Sequence, residues 1–319
     1  MGSRVDPPWY EAGWRETAES WTRSALAHLE RPLAGGIEEV RTWSLSCVLR
    51  APTDDGWVYF KEALDLPLFA DEPRVTQRLA ELYPGVAPKV LATDPDRGWM
   101  LTADAGAIVG WEAPEAEWTT LYEQWAQTQR RSARHVDGLL AMGCVDRDIR
   151  PIPQQFDAVL NDTETMSLLT PAAAAGLARV RPILSDVCEA LASVGIPDTL
   201  VHGDLHVGNM AVQAGRCVVI DWTDVSISHP FMDALVPHRM ADAAAKERTR
   251  EAILSAWEGV APAGRLREAW ELSEIVCPAH HVVSYGSIMA HIPVAKRHEL
   301  VDAFENVANQ LVAASATRC

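Results

Sequence analysis

The stretch Leu200-Val-His-Gly-Asp-Leu-His-Val-Gly-Asn-Met-Ala, followed shortly by Val218-Val-Ile-Asp-Trp, constrains this chain more than any other feature. His202, Asp204 and Asn209 stand in the order H-x-D-x-x-x-x-N, and Asp221 closes an apolar strand. Phosphoryl transfer needs one carboxylate to orient and deprotonate a hydroxyl, and an amide with a second carboxylate to share a hard cation. Thr199, Leu200 and Val201 are β-prone and lead into Gly203, which permits a tight backbone path beside Asp204. Asn209-Met-Ala-Val and Cys217-Val-Val-Ile-Asp flank the turn Gln213-Ala-Gly-Arg, so the spacing predicts a hairpin that returns Asp221 to the side of Asn209. Mg²⁺ keeps several waters and takes one or two protein carboxylates plus phosphates, so Asn209 and Asp221 suffice as its protein ligands.

The HGDxxxxN loop at His202 to Asn209 and the I-D-W segment at Ile220 to Trp222 resemble those of the aminoglycoside phosphotransferase and choline kinase superfamily. That family often continues G-D-P-x-x-D-L-A. Here Ser228-His229-Pro230-Phe231-Met232-Asp233-Ala234-Leu235 keeps Pro230 and Asp233 and departs at the first Gly and Asp. The resemblance implies an α+β, two-lobed, protein-kinase-like fold. Its small β-rich N-terminal lobe would take residues 1–103, with a leading helix, and its larger helical C-terminal lobe residues 104–319. It also implies an enzyme that moves the γ-phosphate of ATP, or of GTP, to a hydroxyl of a small molecule. Asp204, Asn209 and Asp221 are then the catalytic set, and Asp233 ties down the loop backbone.

Other readings of the same residues are weaker. A Gly-Asp-x-His metallophosphoesterase needs further His, Asp and Asn clusters such as G-N-H-E downstream, and the sequence has none. A solvated turn explains a lone H-G-D, but not the eight-residue pattern with a well-placed I-D-W. A kinase-like binding module that no longer transfers phosphate would have eroded a set that stands intact here. His202 reads as a packing and hydrogen-bonding residue of the loop, and His206 receives no role.

A kinase needs more upstream. Gly56-Trp-Val-Tyr-Phe-Lys-Glu-Ala alternates like a strand and places Lys61 near its end. By the resemblance, this lysine contacts the nucleotide phosphates and pairs with a glutamate on the next helix. Asp71 to Leu82 supplies such a helix, with Asp71 as N-cap, Pro73 in the first turn, Val75, Leu79 and Leu82 on one face, and Glu72 at its start. No G-x-G-x-x-G run exists. The hairpin Val40 to Arg50 takes that place, with Ser44 and Ser46 as phosphate donors. Gly98 to Thr102 reads as a strand, and the resemblance implies that it enters the hinge, where Met100, Leu101 and Thr102 would line the base pocket.

Asp146-Arg147-Asp148 imitates a kinase H-R-D, but the fifth residue beyond Asp148 is Pro153, not Asn. Ile149 to Pro153 reads instead as a linker, with Asp146 and Asp148 in turns. Helices are expected over Trp9 to Leu33, Glu115 to Met142, Pro171 to Val194, Asp242 to Val260 and Arg265 to Thr317.

At 319 residues the chain suits two lobes. A net charge of −16 disfavours a nucleic-acid partner and favours a cationic acceptor. Met1-Gly-Ser-Arg-Val-Asp lacks a signal-peptide core, no apolar run suits a membrane, and six scattered cysteines lack any C-x-x-C, so a cytoplasmic location is expected. Acceptor-binding candidates are Asp224, Glu271, Glu274, His280 and His281, with Trp222, Trp270 and Tyr285 as apolar partners. The sequence selects neither the acceptor nor the oligomeric state.

Overall fold

The alternating stretches of the first hundred residues pair into one antiparallel sheet. In the computed structural model, which describes residues 5–316, helix α1 (Trp14–His28) precedes strands β1 (Glu38–Thr42), β2 (Ser46–Thr53) and β3 (Gly56–Ala63). Helix α2 (Glu72–Leu82), β4 (Val90–Asp94) and β5 (Trp99–Ala103) complete the lobe, and the sheet order is β1-β2-β3-β5-β4. Met1 to Arg4, part of the segment that lacks a signal-peptide core, and Cys319, one of the six cysteines, lie outside the described residues.

The tryptophan-rich first helix packs on this sheet for a specific reason. Trp14, Trp21, Phe60 and Trp99 meet edge to face with centroids 5.4–6.4 Å apart. The indole N–H groups of Trp14 and Trp99 both donate to Oε2 of buried Glu62, at 2.6 and 2.7 Å. A charge among aromatic rings is tolerable when two donors meet it.

Strand β6 (Ala107–Ile108) leaves the first sheet and joins β9 (Met210–Gln213), which pairs with β10 (Arg216–Val219) in the expected hairpin. The rest is helical: α3 (Glu115–Ser132), α4 (Val136–Leu140), α5 (Ile152–Asn161), α6 (Thr163–Met166), α7 (Pro171–Ala192), α8 (Ala243–Ser255), α9 (Ala263–His291) and α10 (Val301–Ala316). The long run expected over Glu115 to Met142 breaks in two after Ser132, whose hydroxyl bonds back to the Gln129 carbonyl at 2.8 Å. The linker expected over Ile149 to Pro153 is shorter than that: Ile149 to Pro151 form it, and Ile152 and Pro153 already lie in the first turn of α5, where a proline's missing N–H costs nothing. However, Val145–Asp146 (β7) also pairs in parallel with β11 (Ser226–Ser228), which in turn pairs with β8 (Thr199–Val201). This small sheet holds up the start of the H-G-D loop. Thus the α+β, two-lobed architecture is observed: a small sheet-rich lobe on a larger helical one.

The five described cysteines are free and buried. No described helix is long and apolar enough to cross a membrane.

Candidate active site

Strand β3 delivers Lys61 to the cleft, and the start of α2 delivers Glu72. Asp71 caps that helix through the Arg74 N–H at 3.3 Å, which fixes where Glu72 begins its first turn. Lys61 Nζ donates to Glu72 Oε1 at 2.7 Å and to Asp221 Oδ1 at 2.5 Å. Burial works against the Lys61 charge, but the Asp221 and Glu72 carboxylates outweigh it and raise its pKa. Burial likewise tends to raise Asp221, yet Lys61 holds it below the usual carboxylate range. Glu72 Oε1 also accepts the N–H of Trp222 at 2.9 Å, so one oxygen joins α2 to the strand end that carries Asp221.

The loop His202 to Asn209 is shaped by Asp233. Its carboxylate accepts the N–H groups of His202 and Gly203, both at 2.9 Å, the Trp125 indole at 2.8 Å and the Gln129 amide at 3.1 Å. Burial nevertheless pushes its pKa up to about 7. Gly203 has φ +86°, and a Cβ there would lie 2.3 Å from the Asp224 carbonyl oxygen, so only glycine fits. His202 accepts from the Asp204 N–H through Nδ1 at 3.3 Å, so its Nε2–H donates to the Ile220 carbonyl at 3.0 Å. Burial lowers its pKa. This ring joins the loop to the Asp221 strand and packs edge-on against Trp222, in keeping with a structural role.

The hairpin places Asp221 beside Asn209 as expected, with the Ile220 N–H on the Asn209 carbonyl at 2.9 Å. The Asn209 amide donates through Nδ2 to the Asp204 carbonyl at 3.0 Å, which leaves its Oδ1 for a cation. Asp221 Oδ1 is taken by Lys61 and by the Thr223 hydroxyl at 3.0 Å, leaving Oδ2. Two hard oxygens from the two sides of one hairpin suit Mg²⁺. Asp221 itself adopts φ +67°, an uncommon conformation for a side-chain-bearing residue, of the kind found where function dictates backbone.

His206, given no role by sequence, stands 3.5 Å through Nε2 from Asp204 Oδ2. Burial would lower its pKa, but the neighbouring Asp204 carboxylate raises it. Burial would also raise Asp204, and His206 chiefly holds it below the ordinary range.

Other expected site residues are placed less simply. Met100 pairs across from Lys61 and Thr102 from Tyr59, so both lie on the lysine's face of the sheet. Leu101 points the other way, into the main core. Ser44 is fully buried, and its N–H is occupied by Glu299 Oε2 at 2.8 Å, while the Ser46 hydroxyl accepts the Trp43 indole N–H at 2.8 Å. Glu299 had no local signal, because the contact spans 255 positions.

A cavity of about 60 Å³ opens beside Asp204 and Asp221. Trp43, Leu45, Ile288 and Leu300 form its apolar walls, and Asp224, His281 and Tyr285 its polar floor. Burial and the charges of Asp204 and Asp221 push Asp224 up to about 8. His281 donates to the Met232 carbonyl, and its buried Nε2 has no partner. Burial holds its pKa down at about 4, so at neutral pH Nε2 is a bare acceptor. Glu271 and Glu274 do not reach this cavity. Glu271 is exposed, and Glu274 lines a separate groove beside His238. Trp222 and Trp270 are core, and Arg147 of the imitation H-R-D is buried behind the floor, donating to the Ser284 hydroxyl at 2.7 Å.

The family model described as phosphotransferase enzyme family matches residues 58–270. No curated protein matches the chain. Among solved structures, the GDP complex of an aminoglycoside 2'-phosphotransferase-IIIa mutant is similar at 15% identity and TM-score 0.63, covering 93% of this chain and 99% of that one. A choline kinase from Streptococcus pneumoniae is similar at 14% identity and TM-score 0.60, with 92% and 99% covered. A spectinomycin phosphotransferase bound to ADP and spectinomycin is similar at 11% identity and TM-score 0.55, with 93% and 98% covered. At such identities the structural likeness speaks for the fold.

Proposed function

The chain belongs to the phosphotransferase enzyme family, and from that premise we propose that it is a kinase passing the γ-phosphate of ATP or GTP to a hydroxyl of a compact neutral or cationic molecule. The observation that supports this best is the convergence of Lys61, Asp204, Asn209 and Asp221, from three separate segments, on one cleft. We place the lobe boundary at 103/104, where β5 ends.

In this proposal Lys61, held by Glu72, clamps the nucleotide phosphates. The backbone beside Met100, Leu101 and Thr102 holds the base. Ser44 serves a phosphate only after its N–H leaves Glu299, and Ser46 through its own backbone. Asn209 Oδ1 and Asp221 Oδ2 would hold Mg²⁺, which when bound neutralises charge on the transferring group. Asp204 accepts a hydrogen bond from the acceptor hydroxyl and sets it in line with the γ-phosphate. Its lowered pKa keeps the carboxylate ionised, so it is free to accept that hydrogen bond.

The floor supports the acceptor class. Asp204 is an ionised acceptor, the unpartnered Nε2 of His281 and the neutral carboxyl of Asp224 add polar positions beside it, and no lysine or arginine lines the cavity among the described residues. Such a surface welcomes hydroxyl or ammonium donors and repels anions.

The test is nucleoside-diphosphate release from Mg²⁺-ATP and Mg²⁺-GTP over aminoglycosides, amino sugars, neutral sugars, choline-type amines and hydroxy amino acids, with Asp204→Asn as blank. Acceptor-dependent release that the variant loses is expected. Nucleotide binding with no turnover on any acceptor would point to a binding module, and no nucleotide binding would undo the proposal.

A further inference from the structure

Beyond the catalytic set stands one ring whose geometry is too specific for a bystander. The Gly208 N–H donates to Nδ1 of His206 at 3.1 Å, so Nδ1 must be the unprotonated nitrogen and Nε2 the one that bears hydrogen. That Nε2 faces Asp204 Oδ2 at 3.5 Å. The Asn209 amide approaches the same oxygen, also at 3.5 Å. Among the described residues no side chain donates to Asp204 Oδ1.

Two neighbours hold the ring in place. A Cβ on residue 208 would lie 2.9 Å from Cε1 and 3.0 Å from Nδ1 of His206, so the glycine leaves the space the ring fills. Trp111 covers the outer side, with ring centroids 5.5 Å apart and planes 30° from parallel. Trp111 is 58% exposed, so the His206 ring lies between the loop and an indole at the surface. The ring is thus oriented by a backbone N–H, seated by a missing side chain and backed by an indole.

We infer that His206 is a positioning residue for Asp204: its Nε2–H, together with the Asn209 amide, fixes Oδ2 and leaves Oδ1 as the oxygen that meets the acceptor hydroxyl. This rests on the proposed role of Asp204 as base. A carboxylate that is half exposed can rotate, and rotation moves the basic oxygen out of line with the acceptor. His206 restricts that rotation. It donates no proton to the reaction, and Asp204 alone accepts one.

The test uses the whole chain in two measurements. Nitrogen NMR of ¹⁵N-histidine protein reads the ring without any acceptor. Read at alkaline pH, where the ring is neutral, the expected form is Nε2–H with Nδ1 as acceptor, and Asp204→Asn should shift the Nε2 signal. An Nδ1–H ring, or a signal indifferent to Asp204→Asn, overturns the inference. Turnover on the acceptor found above is the second measurement. His206→Leu should lower kcat by up to about 10²-fold, the scale of a small misplacement, with the KM for nucleotide unchanged. His206→Gln keeps an N–H donor and should recover most of that loss, and Gly208→Ala should repeat it by displacing the ring. Full kcat in His206→Leu overturns the inference. So does a loss shared equally by His206→Gln with weakened nucleotide binding, which would mark the ring as mere loop support. Full turnover in Asp204→Asn would instead defeat the functional proposal itself.

Discussion

Lys61 Nζ stands 2.5 Å from Asp221 Oδ1, a residue 160 positions further along the chain and on the other lobe. The same ammonium neutralises Glu72, which is only 3% exposed. Removing one partner of a buried pair leaves an uncompensated charge, which is worse than never having had the pair. Lys61→Met should therefore lose about 3–5 kcal/mol of stability, and Glu72→Gln in that background should restore much of it by removing the stranded charge. Urea unfolding of the two variants decides. Equal stability of Lys61→Met and the parent would mean that Glu72 does not depend on the lysine.

Asp204 and Asp221 should fail in different ways. Asp204→Asn keeps the shape of the loop but removes the general base, so kcat should fall by about 10²–10⁴ while nucleotide affinity stays nearly unchanged. Asp221→Ala removes the carboxylate proposed for Mg²⁺ and should abolish Mg²⁺-dependent nucleotide binding by calorimetry. Unchanged MgATP affinity in Asp221→Ala would contradict its assignment.

Local periodicity and turn chemistry made much of this legible in the sequence. The hairpin between Asn209 and Asp221 is the clearest case: Met210 pairs with Val219 across a turn that Gly215 closes, just as alternating apolar runs around a glycine predict. Lys61 and Glu72 were legible because a strand with period two and a capped helix each fix their own ends. The cavity wall proposed to face the acceptor was not. Helix α9 is buried along most of its length, so it lacks the apolar stripe that would tell an inner face from an outer one. Glu271 and Glu274 were therefore indistinguishable from His281 and Tyr285 until the helix was packed. The Ser44–Glu299 contact and the seating of His206 under Trp111 depend on pairings that no local pattern encodes.

Gly203 offers a sharp steric test beside the base. Alanine there would take a left-handed backbone, at about 1–2 kcal/mol, and press its Cβ to 2.3 Å from the Asp224 carbonyl oxygen. Backbone on both sides cannot yield easily, so overpacking adds a further penalty of about 1–3 kcal/mol. Gly215→Ala is the control: its φ is +76° but nothing lies within 4 Å of a Cβ. Gly203→Ala should lose both stability and turnover, while Gly215→Ala should lose only the backbone part and keep its activity. Similar behaviour of the two would show that the loop tolerates displacement around Asp204.

His229 isolates one proton linkage. Its ring is buried, accepts the Phe231 N–H through Nδ1 at 3.3 Å and has no partner at Nε2. Burial lowers its pKa from 6.5 to about 3, so the folded ring stays neutral where the unfolded one takes a proton. The unfolded state then binds more protons below pH 6.5, and the stability contributed above that pH is lost as pH falls toward 3. Each pH unit in this window costs about 1.4 kcal/mol. Between about pH 7 and pH 5 the parent should lose about 2 kcal/mol more than His229→Gln, which cannot titrate. Taking the difference between the two proteins cancels the opposing effect of the carboxyl groups that burial raises, Asp233 among them. Urea unfolding of both at the two pH values measures it. A difference that does not change with pH would mean the folded ring titrates as freely as the unfolded one.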